Sequence, residues 1–284
     1  MAKVKDYIEV TKPRSVLLLV FTALAAALVA VKIYSTTEPC VLAIITLALI
    51  LGTGGTNALT CYIDRDIDAQ MSRTEHRPIP SGRIEPKKAL IYSLILIFIG
   101  TVLVYFLHPL AALFMLLGVG DSALVYNAIT KRKSPLNIVL GAPAGGMPVL
   151  VAWSAIAGKV EFIPVMMALL IIFWTPIHIW SLAIYFSDDY EKVKVPMLPV
   201  VTSHETTIRW IALFALALVT FSLFLITSFG RIYLISSIAA GIIIAIMSIR
   251  LIFTPEKKMS WQLFKFSSPY LFLIFLAMIL DCWI

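Results

Sequence analysis

The chain has 284 residues, 60% of them apolar and only 14% charged; a soluble domain usually carries about a quarter charged residues. With a mean hydropathy of +0.95, this excludes an ordinary soluble globular protein, and length is better counted in membrane spans of about 20 residues each. The net charge of +7 calls for no nucleic-acid partner, because the distribution of the basic residues follows membrane topology, as set out below.

The opening MAKVKDYIEVTKPRS is polar and basic and leads into an apolar run long enough to span, so no cleavable signal peptide is expected. Nine spans are predicted at roughly 15–35, 40–62, 89–107, 110–130, 136–157, 162–185, 207–229, 232–253 and 266–283. A backbone in hydrocarbon must satisfy its own hydrogen bonds, so each should be a helix. The fold class is therefore all-α, a polytopic membrane protein of nine transmembrane helices. Pro143, Gly145, Gly146 and Pro148 in the fifth span are tolerated in packed membrane helices. With the N-terminus in the cytoplasm, 20 of the 23 basic residues lie on the cytoplasmic side, and only Lys32, Lys159 and Arg231 lie outside. The bias gives an N-inside, C-outside chain in the cell membrane. Cys40, Cys61 and Cys282 stand far apart, with no C-x-x-C pair, which supports neither a disulfide framework nor a zinc site.

Two long cytoplasmic loops follow the second and sixth spans. Each opens with an Asp cluster and then carries two closely spaced prolines: DRDIDAQMSRTEHRPIPSG in the first, SDDYEKVKVPMLPV in the second. Their placement four spans apart suggests a single domain over residues 1–284 with a four-helix pseudo-repeat, about 10–130 and 136–253, plus a ninth helix. Sites often lie between such halves.

Asp64 and Asp68 are four residues apart. On a helix continuing from the second span they share a face, while Asp66 points nearly the opposite way. Two carboxylates on one face repel unless a cation sits between them, and hard oxygen ligands suit Mg²⁺, which usually takes one or two carboxylates plus substrate phosphates. Asp188 and Asp189 offer a second pair. Arg65, Arg73, Arg77 and Arg83 surround the first cluster, and Lys131, Arg132 and Lys133 lie on the short loop after the fourth span. Positive-inside topology alone accounts for Arg83, Lys87, Lys88 and Lys133. Arg73 and Arg77, one and two turns past the Asp pair, are the better phosphate ligands. His178, in the sixth span about 15 Å before Asp188 along the helix axis, is either a histidine bonded to a neighbouring helix or a contact to a substrate. Asp121, inside the fourth span, is either hydrogen-bonded or turned to a chamber.

The stretch CYIDRDIDAQMSRTEHRPIPSG is similar to the first Asp-rich motif of the UbiA-type intramembrane prenyltransferases. VTKPRS, KRKSPLNIVLGAPAGGMPVLVAW and WTPIHIWSLAI followed by DDYEKVKVPMLPVV resemble further motifs of the branch that farnesylates heme, over about residues 10–205. The resemblance implies a nine-helix bundle around a central chamber. It implies Mg²⁺ held by Asp64, Asp68, Asp188 and Asp189, which would also be the catalytic set. It implies substrate contacts from Asn57, Thr60, Arg65, Arg73, Arg77, Lys131, Arg132, His178, Tyr190 and Lys192. The implied substrates are farnesyl diphosphate and heme B, the product heme O, and the downstream partner a heme A synthase or oxidase-assembly factor; membrane lipid surrounds the whole. Two departures stand out. Thr60 occupies the position where the family usually has Asn, with Asn57 one turn earlier, and Ile177 replaces the second proline of T-P-P-H. Other readings of the same residues are a phenolic or glycerol-lipid acceptor and, from a different class, an anion transporter.

Overall fold

The structure is a computed structural model that describes residues 2–35 and 39–284. It begins with a short helix α1 (Val4–Val10) and the first long helix α2 (Pro13–Tyr34), followed by α3 (Pro39–Ile63) and the single turn α4 (Arg65–Asp68). Helices α5 (Pro86–Leu107) and α6 (Pro109–Thr130) follow, then α7 (Asn137–Gly141) and α8 (Pro143–Ala157), which together form one broken span. Helix α9 (Phe162–Tyr185) leads to the short α10 (Ser187–Lys192) and α11 (Leu198–Val201), and α12 (His204–Phe224), α13 (Arg231–Phe253) and α14 (Lys257–Trp283) complete the chain. Among the described residues nine segments are long and apolar enough to cross a membrane. The chain is a multi-pass membrane protein with an all-α fold.

The span ends depart from the sequence pattern where charge begins before the helix does. The last helix starts at Lys257 rather than near residue 266. Its extra turns carry Lys257, Lys258 and Lys265, and Lys265 lays its ammonium 5.3 Å from the centre of the Trp261 ring. Hydropathy ends a span where lysines appear, but a helix can continue while long lysine stems keep their heads in water. The seventh span starts at His204 because Ser203 caps it, its hydroxyl accepting the Thr206 N–H at 3.1 Å. The third starts at Pro86, which suits the first helical position.

Packing follows membrane rules. Without a hydrophobic force between helices in lipid, close approach depends on small residues. Helices α3 and α5 show it: a Cβ on Gly100 would stand 2.7 Å from the Ala48 carbonyl oxygen and 2.8 Å from the Gly52 nitrogen. Large residues such as Phe106 and Phe253 face outward, 80% and 82% exposed, as apolar side chains can in a protein surrounded by lipid. Trp153, Trp180, Tyr233, Tyr270 and Phe275 fill the interior.

Asp121 has a structural partner. The fifth span breaks at residues 141–143, and its second half starts at Pro143 with free N–H groups. The Asp121 carboxylate accepts the Ala144 N–H at 2.8 Å. An acid in the fourth span thus caps the broken helix beside it.

Candidate active site

Helix α3 ends at Ile63, and the first Asp motif continues from it through a turn at Asp64 into α4. Asp64 donates its N–H to the Thr60 carbonyl at 2.9 Å, and Asp68 to the Asp64 carbonyl at 2.8 Å, so the four-residue helical spacing persists through a slight bend at Asp64. Asp64 and Asp68 turn inward and are buried, at 5% and 3% exposure. Asp66 points away, and Arg132 grips it with both prongs of its fork at 2.6 and 2.7 Å. That hydrogen bond holds the Asp66 carboxyl down to about 2.

Cations converge on the two inward carboxylates. Lys131 pairs with Asp64, and both are largely buried. Burial works against the Lys131 charge, but Tyr126 and Asp64 outweigh it and raise its pKa. Arg77 pairs with Asp68 at 2.7 Å. Arg73 lies 3.5 Å from the Tyr190 hydroxyl and 5.5 Å above the Phe186 ring. Among the described residues two buried atoms here have no hydrogen-bond partner, Asp64 Oδ1 and Arg73 Nε. Buried polar atoms are rarely left so; one suits a cation and the other an anion.

Lys12 is a site residue that the pattern of acids and arginines did not single out. It donates to Thr60 Oγ1 at 3.2 Å, one turn before Asp64 on the inward face. Asn57, one turn earlier again, donates to the Thr11 carbonyl at 3.1 Å. The signal was the VTKPRS motif itself, whose Lys12 adopts a left-handed backbone, φ 54°, immediately before Pro13. Arg83 anchors this N-terminal segment. Its guanidinium reaches Asp6 and Glu9 at 2.7 Å and the His76 carbonyl at 2.7 Å, so it does more than follow topology.

The second Asp-rich loop divides. Asp189 accepts from the Ser72 hydroxyl at 2.9 Å, which joins the two loops. Asp188 is 85% exposed and pairs with Lys257 at 2.8 Å. Neighbours on the helix α10 point about 100° apart, so this pair does not present two carboxylates to one point. Lys192 is exposed on the same short helix. Arg65 also faces outward, bonded to the Tyr62 carbonyl at 2.7 Å and resting 4.5 Å from the Tyr62 ring centre. Arg65, Arg132, Asp188 and Lys192 therefore stand outside the inward cluster.

Beneath the charged cluster lies a cavity of about 280 Å³, walled by α2, α3, α6, α7, α8 and α9. Its lining is mostly apolar, with Asn57 on one side and Tyr126 on another. His178 does not line it, although Thr175 and Ile179 on the same helix do. The His178 ring is sandwiched between Trp174 and Phe264, 4.4 Å from each. Its Nδ1 lies 2.7 Å from Ser267 Oγ, whose own proton goes to the Phe264 carbonyl. Donor and acceptor in the His178–Ser267 bond follow the tautomer; in the one that carries its proton on Nδ1, Nε2 keeps its lone pair.

A metal is tested by the same geometry. Among the described residues no group of three or more His, Cys, Asp or Glu side chains is gathered for an ion. The inward Asp64–Asp68 face, with its unpartnered Oδ1, does fit a cation that takes one or two carboxylates and completes its shell with phosphate oxygens and water.

Comparison with known proteins places the chain in a family. The profile of the UbiA prenyltransferase family matches residues 19–278. A Protoheme IX farnesyltransferase of Desulforudis audaxviator is 41% identical, over 99% of this chain and 89% of its own. The fold matches a digeranylgeranylglyceryl phosphate synthase structure with a TM-score of 0.81 at 19% identity, over 98% of both chains. It also matches a UbiA homolog from Archaeoglobus fulgidus bound to GPP and Mg²⁺, with a TM-score of 0.67 at 15% identity, over 96% of this chain and 99% of that one. This chain belongs to the UbiA prenyltransferase family.

Proposed function

We propose that the protein transfers the farnesyl group of farnesyl diphosphate to a vinyl group of heme B, with addition of water, to give heme O and diphosphate. The observation that carries the reading is a single juxtaposition. Two buried carboxylates and the cations Lys12, Lys131 and Arg77 form one charged cluster, which adjoins an apolar cavity through Asn57 and Tyr126, both of which line it. Charge at the mouth and hydrocarbon walls below suit a diphosphate with an isoprenoid tail. The acceptor comes from the 41% identical relative named Protoheme IX farnesyltransferase.

Mg²⁺, held by Asp64 and Asp68 with support from Asp189, would neutralise charge on the leaving diphosphate. The chain's own part begins with Lys131, Arg73, Arg77 and Lys12, which offer N–H donors to diphosphate oxygens and stabilise the charge that develops there. The C1–O bond breaks, and the electron pair leaves on diphosphate. The apolar lining excludes water from the allylic cation. The heme vinyl π electrons then form the carbon–carbon bond. Water captures the new cation beside the porphyrin, and its proton passes to diphosphate. No strong base is needed, unlike for a phenolic ring that must lose a proton. His178, in the tautomer that leaves the Nε2 lone pair available, is our candidate partner for heme iron.

The basic-residue bias supports a cytoplasmic mouth, with the N-terminus inside and the C-terminus outside the cell membrane. A heme A-forming enzyme or an oxidase-assembly factor is the expected consumer of the product. Purified protein given heme B, farnesyl diphosphate and Mg²⁺ should yield heme O by mass spectrometry. Prenylation of a phenolic or glycerol-lipid acceptor, with heme B untouched, would overturn the acceptor assignment.

A further inference from the structure

Tyr126 is the residue that touches both halves of the site. Its ring lines the apolar cavity, and the Lys131 ammonium lies 5.7 Å from its centre on the charged side. Lys131 in turn pairs with Asp64. Three features hold the tyrosine there. Residues Asp121–Thr130 are wound as a π-helix, a form that is rare, usually confined to a single turn and frequent at functional sites. The wider winding closes with the Lys131 N–H on the Tyr126 carbonyl at 2.8 Å, so the lysine begins one wide turn above the tyrosine. Asn127 and Thr130 reinforce the winding by donating to carbonyls five residues back, each at 2.7 Å. Finally, Gly141 makes room for the ring: a Cβ there would stand 2.7 to 2.9 Å from Tyr126 Cβ, Cγ and Cδ2.

We propose that the Tyr126 ring is a catalytic residue that stabilises the allylic cation at C1 of the prenyl chain by a cation–π interaction. This rests on the functional reading above. Diphosphate held by the cations at the mouth and a tail laid in the cavity leave C1 at the junction, where Tyr126 is. The positive charge appears only once the C1–O bond has broken and the electron pair has left with diphosphate. An aromatic quadrupole acts on that charge and hardly at all on the neutral alkyl group before it, so it favours the transition state over the bound substrate. A desolvated site strengthens the effect.

The test is a series at position 126 in the full-length protein, with phenylalanine, mono-, di- and trifluorophenylalanine and leucine. Turnover, diphosphate release with and without heme B, and farnesyl diphosphate affinity are all measured. Tyr126→Phe should stay within a few-fold of the parent. Each added fluorine should lower kcat stepwise, and Tyr126→Leu should lose on the order of 30-fold, with substrate affinity little changed. The fluorinated side chains are nearly the size of phenylalanine, so the series reads charge and not packing, whatever the leucine variant does to folding. A flat fluorine series, or a phenylalanine variant as poor as leucine, overturns the inference; the second outcome would assign the effect to the hydroxyl. A parent that releases diphosphate without making heme O overturns the acceptor reading alone, and the diphosphate-release series still decides the role of the ring.

Discussion

Lys12 and Thr60 lie 48 positions apart in the chain, yet Lys12 Nζ donates to Thr60 Oγ1 at 3.2 Å. The bond brings a cation from the N-terminal segment to the face of α3 that carries Asp64 and Asp68. Thr60 has a single hydroxyl, which also donates to the Asn57 carbonyl at 2.8 Å, so two further donor positions of the ammonium remain for a diphosphate. Lys12→Met should keep the membrane fold and lower kcat/KM for farnesyl diphosphate about 10- to 100-fold, the worth of a lost charge-assisted hydrogen bond. Lys12→Arg should recover part of it. Steady-state kinetics with heme B held saturating checks this; unchanged kinetics for Lys12→Met would remove the residue from the site.

The three acids of the first motif should separate by facing. Asp64→Asn and Asp68→Asn are expected to reduce turnover by about 100-fold or more, because each removes the charge of a buried, inward carboxylate proposed to hold the metal. Asp66→Asn frees Arg132 on the surface and should cost only a few-fold. The Asp66 carboxyl is held at about 2 by Arg132, below its unfolded value. Its contribution is therefore present above pH 4 and lost only as pH falls through about 2. Any decline in activity between pH 5 and 7 must come from another group, and the Asp66→Asn variant should show the same profile there. A profile that flattens in this variant would contradict the assignment.

Arg83 joins α1 to the loop that carries the Asp motif. The Lys3 backbone N–H and then the Arg83 side chain lower the Asp6 carboxyl, and Arg83 lowers that of Glu9. Both stay charged at neutral pH, and the clasp loosens only when pH falls below the usual carboxylate range. Arg83→Ala should speed amide exchange over residues 4–12 at pH 7 and raise KM for farnesyl diphosphate several-fold, since Lys12 loses its anchor. Exchange mass spectrometry and kinetics on one preparation report both effects. Faster exchange with an unchanged KM would separate the clasp from catalysis.

His178 offers a sharper choice. If its Nε2 meets heme iron, His178→Ala weakens heme B binding by at least about tenfold, the equivalent of 1.4 kcal/mol, and alters the heme absorption spectrum. Farnesyl diphosphate binding stays as in the parent, because the ring is turned to α14 and away from the cavity. Titration of each ligand into detergent-solubilised protein decides it. An unchanged heme spectrum would leave His178 as a helix-packing residue bonded to Ser267.

Orientation can be read by labelling. In a background lacking Cys40, Cys61 and Cys282, single cysteines at Ser81 and Lys257 should be inaccessible to a membrane-impermeant reagent in intact cells and react after permeabilisation. External labelling at both positions would invert the topology.

The sequence alone determined the spans, because a run of about 20 apolar residues has one stable fate in a bilayer and hydropathy reads it directly. It also determined which way Asp64, Asp66 and Asp68 point, since helical spacing is local. The last helix extends beyond its apolar span, from Lys257, because lysines at a membrane edge end the hydropathy signal but not the helix. What only the tertiary structure decided were contacts across long separations: Lys12 on Thr60, Arg83 on Asp6 and Glu9, Asp121 on the broken fifth span, and His178 on α14. Asp188 and Asp189 look alike in sequence, yet one meets Lys257 and the other Ser72. Neighbouring helical side chains diverge, and which of them meets the site depends on how distant helices pack. Periodicity in a single chain carries no record of that.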